Sequence, residues 1–353
     1  MTGYPSGDKR LTFLQMEGLT GFAAKDEWDF KNLGITNEPF IKANYPHHEG
    51  TWGWEKQADQ VVLVVRNIRR SLVEYSDILW DIQHAKTWEE ANLHLQDLYR
   101  ERPPLEDFIH WRDIRVMDEI QWYGWFIDYW MEGGLLRDMF SKRITTQKHW
   151  NMLMRPDHFH KDLMTYELIV GNETVTPTYD PHCLTDVSGG CPPVEVISAE
   201  RLVEHDTGPA ENLKIAQVLT KTNNMTQHMI PEDAWECVWT ELIVNKKGLK
   251  TFLDREGITE RDYNFSEEML EKMIVELDYL ITKYGGSDWN TLATAQTLVE
   301  LLSEHRELVQ QELVEVQTGV RKLKNDDFLG PIARARREKE IEDKHLYWAD
   351  ETD

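Results

Sequence analysis

The residues with the clearest potential for chemistry form a glycine-containing loop at positions 3–12, which reads GYPSGDKRLT. The apolar spacing after this loop predicts that it leads into a helix. A loop of this kind directs backbone N–H groups at an anion, and the helix dipole and a lysine add positive charge. The candidate anion-binding residues are Ser6, Gly7, Lys9, Arg10 and Thr12.

Two further groups follow the loop, KANYPHHEG at 42–50 and VVLVVRNIRR at 61–70. His47 or His48 could accept a proton near neutral pH. The run Val61–Val65 is continuous and β-branched, which is typical of a strand buried on both faces of a parallel sheet. The sequence therefore predicts that Arg66 stands at the end of such a strand.

The types and order of these three groups resemble those of the sulfotransferase family. Members carry a Tyr-Pro-x-Ser-Gly-Thr-Thr loop, then Lys-Thr-His-x-Pro, then a buried strand ending in Arg-Asn-Pro-(Lys/Arg). The resemblance covers residues 3–80, and 193–220 more weakly. The loop resembles the family's loop as a whole, and the matching positions in the other two groups are Lys42, Pro46, Arg66, Asn67 and Arg69.

The resemblance implies an α/β fold, a parallel sheet flanked by helices of the P-loop NTPase-like or sulfotransferase type. The shift to Leu, Glu, Gln, Val, Lys and Arg from Asp288 onward adds a long helical C-terminal extension. It implies transfer of a sulfuryl group from 3′-phosphoadenosine-5′-phosphosulfate (PAPS) to a hydroxyl or amine of a small molecule or glycan, with no metal required. Arg66, with Ser71 as a substitute for the family's serine, would bind the 3′-phosphate. Lys42 would assist the leaving group, and His47 by preference, or His48, would be the base.

Three departures from the family pattern concern the same site. Asp8 lies inside the loop, Asn44 occupies the position of the family's histidine, and Glu74 occupies that of its serine. The carboxylates of Asp8 and Glu74 would repel a phosphate. Two alternatives therefore stay open: a decayed pseudoenzyme that acts as a protein-interaction module, and a P-loop kinase or NTPase. Lys9 favours the kinase, whereas Arg10 stands where its Walker pattern requires a hydroxyl residue.

The elements that must position these residues are predicted as one α/β domain over 1–286 and a charged helical extension over 287–353, which is a candidate protein-binding arm. Because only Met1 and Thr2 precede Gly3, we expect the first strand to be missing and the chain to be truncated at its N-terminus. A lost upstream anchor would place the protein in the Golgi lumen, and otherwise it would be cytoplasmic. Further predicted elements are a strand at 193–197 and helices at 88–99, 111–131, 211–219, 232–245, 267–284, 288–316 and 328–347.

Composition limits the partners. The formal net charge is −24 and no basic block offsets it, which argues against nucleic-acid binding. No run of about 18 apolar residues is present, so no membrane span is expected. The sequons at Asn172, Asn224 and Asn264 are compatible with a secreted glycoprotein.

Cysteines and histidines leave smaller questions open. Cys183 and Cys191 could close a loop in an oxidising compartment or remain free thiols. Cys237 is expected to be a small core residue. The alternative of a divalent metal site rests on Asp157, His158, His160, Asp180 and His182.

Overall fold

The computed structural model describes residues 1–5, 8–27, 39–44, 47, 58–84, 104–131, 168–170, 173–175, 194–222, 225–245 and 263–321. The chain divides into two compact units. Unit 1 comprises Met1–Asn67, Trp122–Lys246 and Tyr279–Ser303, and unit 2 comprises Ile68–Gln121, Lys247–Asp278 and Glu304–Asp353. The predicted division at residue 287 stays a prediction.

Helices predominate over strands in the described residues. In chain order the elements are β1 Thr2–Gly3, α1 Asp8–Thr20, β2 Lys25–Asp26, β3 Ile41–Lys42, β4 Val61–Val65, α2 Ile68–His84, α3 Leu105–Met131, β5 Leu168–Val170, β6 Glu173–Val175, β7 Val194–Ser198, α4 Ala199–Val203, α5 Gly208–Lys221, α6 Trp235–Trp239, α7 Glu267–Tyr284 and α8 Ala293–Gln317.

A small parallel sheet forms the centre of unit 1, with strand order β1-β4-β7. All five residues of β4 are buried, as the continuous β-branched run predicts. β7 pairs with β4 along its full length, from Val61 opposite Val194 to Val65 opposite Ser198. The expectation of helices combined with a parallel sheet is confirmed at this level.

The strand before the anion-binding loop has two residues, Thr2 and Gly3, which pair in parallel with Leu63 and Val64. A short strand thus stands where we expected the first strand to be missing. Gly3 permits a close approach here. A Cβ atom at this position would lie 2.9 Å from the carbonyl oxygen of Val64 and 3.2 Å from the side chain of Lys9.

The C-terminal part of α3 contributes aromatic side chains to the core of unit 1. Trp122, Trp125, Phe126 and Trp130 are buried, and the Trp122 and Trp125 rings meet edge to face with centroids 5.2 Å apart. These residues are therefore packing residues, as their helical spacing indicates.

Two predicted helices show how local signals succeed and fail. α7 begins after Ser266, whose hydroxyl accepts a hydrogen bond from the backbone N–H of Met269 at 3.2 Å, so the predicted cap is confirmed. The predicted helix at 232–245 is instead a 3₁₀ turn, α6 and a π-helical turn. Cys237 on α6 is exposed, and the expectation that it belongs to the core is wrong, because this helix buries Trp239.

Unit 2 contains a group of buried and partly buried charges around residues 263–264. Arg69 donates to the carbonyl oxygen of Tyr263 at 2.7 Å and forms an ion pair with Glu312. Arg321 lies 3.0 Å from Glu312 and donates to the side chain of Asn264 at 2.8 Å. Arg69, which matches the basic position of the family motif, is thus part of this charge network.

Some predictions fall on residues outside the described ranges: the helices at 88–99 and 328–347, the Cys183 and Cys191 pair, and the candidate metal ligands from Asp157 to His182. Among the described helices, none combines the length and the apolar character that a membrane crossing requires.

Candidate functional site

The parallel sheet of unit 1 brings the ends of several segments to one edge. Gly3 lies opposite Val64, Val65 lies opposite Ser198, and Ala43, directly after β3, forms a parallel bridge with Thr2. The chain segments that follow these strands therefore leave the sheet at its carboxyl edge. Ligands of open parallel sheets bind outside this edge, so it is the candidate site.

Lys9 on α1 is turned towards this edge and is almost completely buried. Its ammonium group donates to the carbonyl oxygen of Gly3 at 2.7 Å and to the side-chain oxygen of Asn44. The short strand, the start of α1 and the segment after β3 therefore meet at one cationic group. Burial lowers the pKa of Lys9 to about 7.

Lys42 and two carboxylates determine the electrostatics around Lys9. Lys42 lowers the pKa of Lys9 further, whereas Glu27 and Asp26 oppose this effect. Lys42 is half-buried and forms an ion pair with Asp26 at 2.5 Å. Glu27 is fully buried and accepts a hydrogen bond from the backbone N–H of Asn44. The two lysines that the sequence selects are therefore electrostatic neighbours, with carboxylates beside them.

His47 lies in an aromatic environment next to the same edge. Its ring is fully buried, with centroid distances of 5.3 Å to Tyr4 and 5.2 Å to Trp122. Its backbone N–H donates to the carbonyl oxygen of Asn44 at 2.9 Å, which closes a turn after β3. The candidate base thus belongs to the same segment as the partner of Lys9.

Arg66 follows β4, as the sequence predicts, and is buried. Its Nε lies 3.9 Å from a carboxylate oxygen of Glu200, and the same oxygen accepts the backbone N–H of Asn67 at 2.9 Å. The carbonyl oxygen of Arg66 accepts a hydrogen bond from the Tyr123 hydroxyl at 2.7 Å. Burial raises the pKa of Tyr123, and Glu200 adds to this effect, so the hydroxyl stays a donor.

Thr12 and Gln15 are two fully buried polar side chains on α1. Within the described part of the chain, the Thr12 hydroxyl and both polar atoms of the Gln15 carboxamide have no hydrogen-bond partner. Buried polar groups of this kind cost free energy. Thr12 is thus positioned in the interior of unit 1, together with a glutamine that the motif did not include.

The remaining predicted residues lie outside the described ranges, in the first turn of α1 or in α2. Ser6, Gly7 and His48 lie outside the described residues, and Asp8 and Arg10 lie in the first turn of α1. Ser71 is buried in the first turns of α2, which belongs to unit 2, as is Glu74. Within unit 1, Lys9, Lys42 and His47 lie around the segment that contains Asn44, and Arg66 follows β4 of the parallel sheet.

Sequence reasoning missed Glu27, Tyr123 and Glu200 at this edge. A signal existed only for Glu200, which follows the second predicted strand by three residues, so that parallel pairing of the strands would bring it close to Arg66. Glu27 follows no recognisable motif, and Tyr123 lies within a helix rich in aromatic residues.

Among the described residues, no group of three or more His, Cys, Asp or Glu side chains is arranged to hold a metal ion. A scan against protein-family models and searches of curated proteins and of solved structures find no match to this chain.

Proposed function

We propose that this chain is a sulfotransferase-like protein with a P-loop-like α/β fold that binds PAPS at the carboxyl edge of the β1-β4-β7 sheet. The proposed reaction transfers a sulfuryl group to a hydroxyl or amine of a small molecule or glycan. The observation that carries the proposal is that Lys9 follows β1, Arg66 follows β4, and Lys42 ends β3, whose next residue forms a parallel bridge with β1. Cations at this edge suit a ligand with several phosphate groups.

Each of these residues has a proposed task. Lys9, with Arg10 and the N–H groups of the loop at Ser6 and Gly7, binds the bridging phosphate and stabilises the charge that develops there. Lys42 stabilises the leaving phosphate, and Arg66 binds the 3′-phosphate.

The donor supplies an activated sulfuryl group, whose S–O bond to phosphate breaks as an S–O bond to a hydroxyl acceptor, or an S–N bond to an amine acceptor, forms. His47 accepts the proton that the acceptor loses. Its place in the segment between Lys42 and Arg66, next to Tyr4 of the loop, supports this role.

One set of contacts favours the second candidate, a pseudoenzyme that acts through protein binding. Lys42 has Asp26 as an ion-pair partner, and Arg66 has Glu200 nearby. These carboxylates offset the positive charge that a phosphate group would require. The two candidates differ in whether a nucleotide with two phosphate groups displaces these internal partners.

The experiment is a thermal-shift titration with 3′,5′-adenosine bisphosphate, beside ADP with magnesium. A ligand at 100 times its dissociation constant stabilises a protein by about 2.7 kcal/mol, which shifts the melting temperature measurably. We expect stabilisation by the bisphosphate alone and release of this product when PAPS and an acceptor are supplied. Stabilisation by ADP with magnesium alone would instead favour a kinase, and no response to either would favour the pseudoenzyme.

Matched variants test the site itself. We expect Lys9→Met and Arg66→Ala each to weaken bisphosphate binding by at least about tenfold, because each removes a charge-assisted contact. Lys214→Met is the control, because Lys214 also belongs to unit 1 and forms an ion pair with Glu211 at 2.7 Å. Wild-type affinity in both site variants would overturn the proposed site.

A further inference from the structure

The ammonium group of Lys9 is held by two neutral acceptors, the carbonyl oxygen of Gly3 at 2.7 Å and the side-chain oxygen of Asn44. Asn44 is itself fixed from the other side, because its backbone N–H donates to Glu27 and its carbonyl oxygen accepts the N–H of His47. The backbone of Asn44 is therefore held in place by its neighbours in the fold. It is oriented by hydrogen bonds in both directions.

The groups that face Lys9 carry both signs of charge. Lys42 of β3 repels a proton on Lys9, whereas Asp26 of β2 and Glu27, directly after it, attract one. The amino group of Met1 also interacts with Lys9 and Glu27. Because Lys9 is almost completely buried, solvent contributes little to stabilising its charge. The hydrogen bond to the acceptor at position 44 therefore contributes more.

We propose that Asn44 is a positioning residue that holds the side chain of Lys9 at the sheet edge and thereby couples anion binding at the loop to the uptake of a proton. The proposal rests on the proposed function and adds a regulatory property to the same site. The carboxamide oxygen at position 44 stabilises a charged Lys9 without neutralising it, since it bears no formal charge. A carboxylate there would neutralise the charge of Lys9, and an apolar residue would remove the hydrogen bond that stabilises it.

The proposal predicts how the number of protons taken up on anion binding depends on pH. In the free protein, Lys9 loses its proton as the pH rises through about 7. An anion bound next to Lys9 favours the charged form, so binding above this pH takes up a proton. Below about pH 6, Lys9 already carries the proton and binding requires no uptake.

The experiment combines two measurements on the full chain. Isothermal titration calorimetry of 3′,5′-adenosine bisphosphate in buffers of different ionisation enthalpy gives the protons taken up at pH 6, 7, 8 and 9. NMR of the Lys9 side-chain nitrogen gives its titration without any ligand. For wild type we expect little uptake at pH 6 and approaching one proton per ligand at pH 9.

Three variants make the test specific. Asn44→Asp should move the Lys9 titration upward by about one pH unit or more, because an opposite charge favours the protonated form, and Asn44→Leu should move it downward. Proton uptake should shift with it in each case. Asn290→Asp, which makes the same charge change at an exposed position of unit 1, should leave both measurements as in wild type.

The outcomes separate the two proposals. If both Asn44 variants titrate like wild type, the positioning role is wrong, whatever the ligand does. If the bisphosphate binds wild type with no proton uptake at pH 9, the coupling is wrong although the proposed function stands. If the bisphosphate does not bind at all, the proposed function and the coupling both fail, and the NMR titration still decides the role of Asn44.

Discussion

Both units of this chain bury cations, but they satisfy them in different ways. In unit 2, Arg69 and Arg321 share Glu312 and donate to residues 263 and 264. In unit 1, Lys9 is buried against a carbonyl and a carboxamide, and burial lowers its pKa to about 7. Arginine remains charged at any ordinary pH, whereas a buried lysine can lose its proton.

This difference distinguishes a structural cation from one suited to binding. A guanidinium held by carboxylates and carbonyls fixes the segments around it, and a ligand would have to break several contacts to reach it. In the described part of the chain, the hydrogen-bond acceptors of the Lys9 ammonium group are neutral, so neither of them cancels its charge. The position of Lys9 at the carboxyl edge of a parallel sheet agrees with this reading.

The largest expected effect concerns Arg112 in unit 2, which is fully buried, contacts Asp113 at 2.8 Å and donates to the carbonyl oxygen of Asn264. Replacing Arg112 by Ala leaves Asp113 buried without this charge partner, which should destabilise the protein by about 3–5 kcal/mol. The measurement is the free energy of unfolding in urea. Arg306→Ala is the control, since its ion pair with Asp278 is more exposed and should contribute less than about 1 kcal/mol. Equal effects of the two variants would mean that the buried ion pair of Arg112 is no more important for stability than an exposed one in the same unit.

The sequence predicted those parts of unit 1 that depend on local patterns. The continuous run Val61–Val65 identified a buried parallel strand, and this placed Arg66 at its end. Ser266 identified the start of α7 because a helix cap is formed by neighbouring residues.

Long-range partners could not be predicted in the same way. Arg69 fits the family motif equally well, yet its backbone partner Tyr263 lies 194 positions away. The N–H of Asn67 meets Glu200, 133 positions away. No local pattern encodes these pairs, because they depend on which segments the fold brings together.

The second prediction concerns the pH dependence of stability that Lys9 confers. Its pKa is lowered from 10.5 to about 7 in the folded chain, so between these values the unfolded state binds more protons. The stability of wild type should therefore rise with pH from about 7 to about 10 relative to Lys9→Met, which has no group to titrate. The relative gain should amount to a few kcal/mol, since one unit corresponds to about 1.4 kcal/mol.

Urea unfolding of both proteins at pH 6, 8 and 10 gives this difference directly. Lys214→Met is again the control, because Lys214 is only partly buried and its ion pair with Glu211 should give no comparable rise. Parallel curves for wild type and Lys9→Met would mean that Lys9 keeps its proton as an arginine does. The contrast between the two units would then disappear.

The smallest expected effect concerns Thr12 and Gln15, two buried polar side chains on the same helix as Lys9. Thr12 is fully buried, and in the described part of the chain its hydroxyl has no hydrogen-bond partner, whereas the hydroxyl of Thr20 on the same helix donates to the carbonyl oxygen of Met16 at 2.7 Å. Thr12→Val removes a buried hydroxyl at nearly constant volume and should stabilise the protein by about 1 kcal/mol, while Thr20→Val should destabilise it by a similar amount. Gln15→Met should act in the same direction as Thr12→Val. Stabilisation by these two changes and not by Thr20→Val would show that the helix behind the loop carries polar groups that the fold itself does not require. Destabilisation by Thr12→Val would mean that the Thr12 hydroxyl contributes to the stability of the folded state.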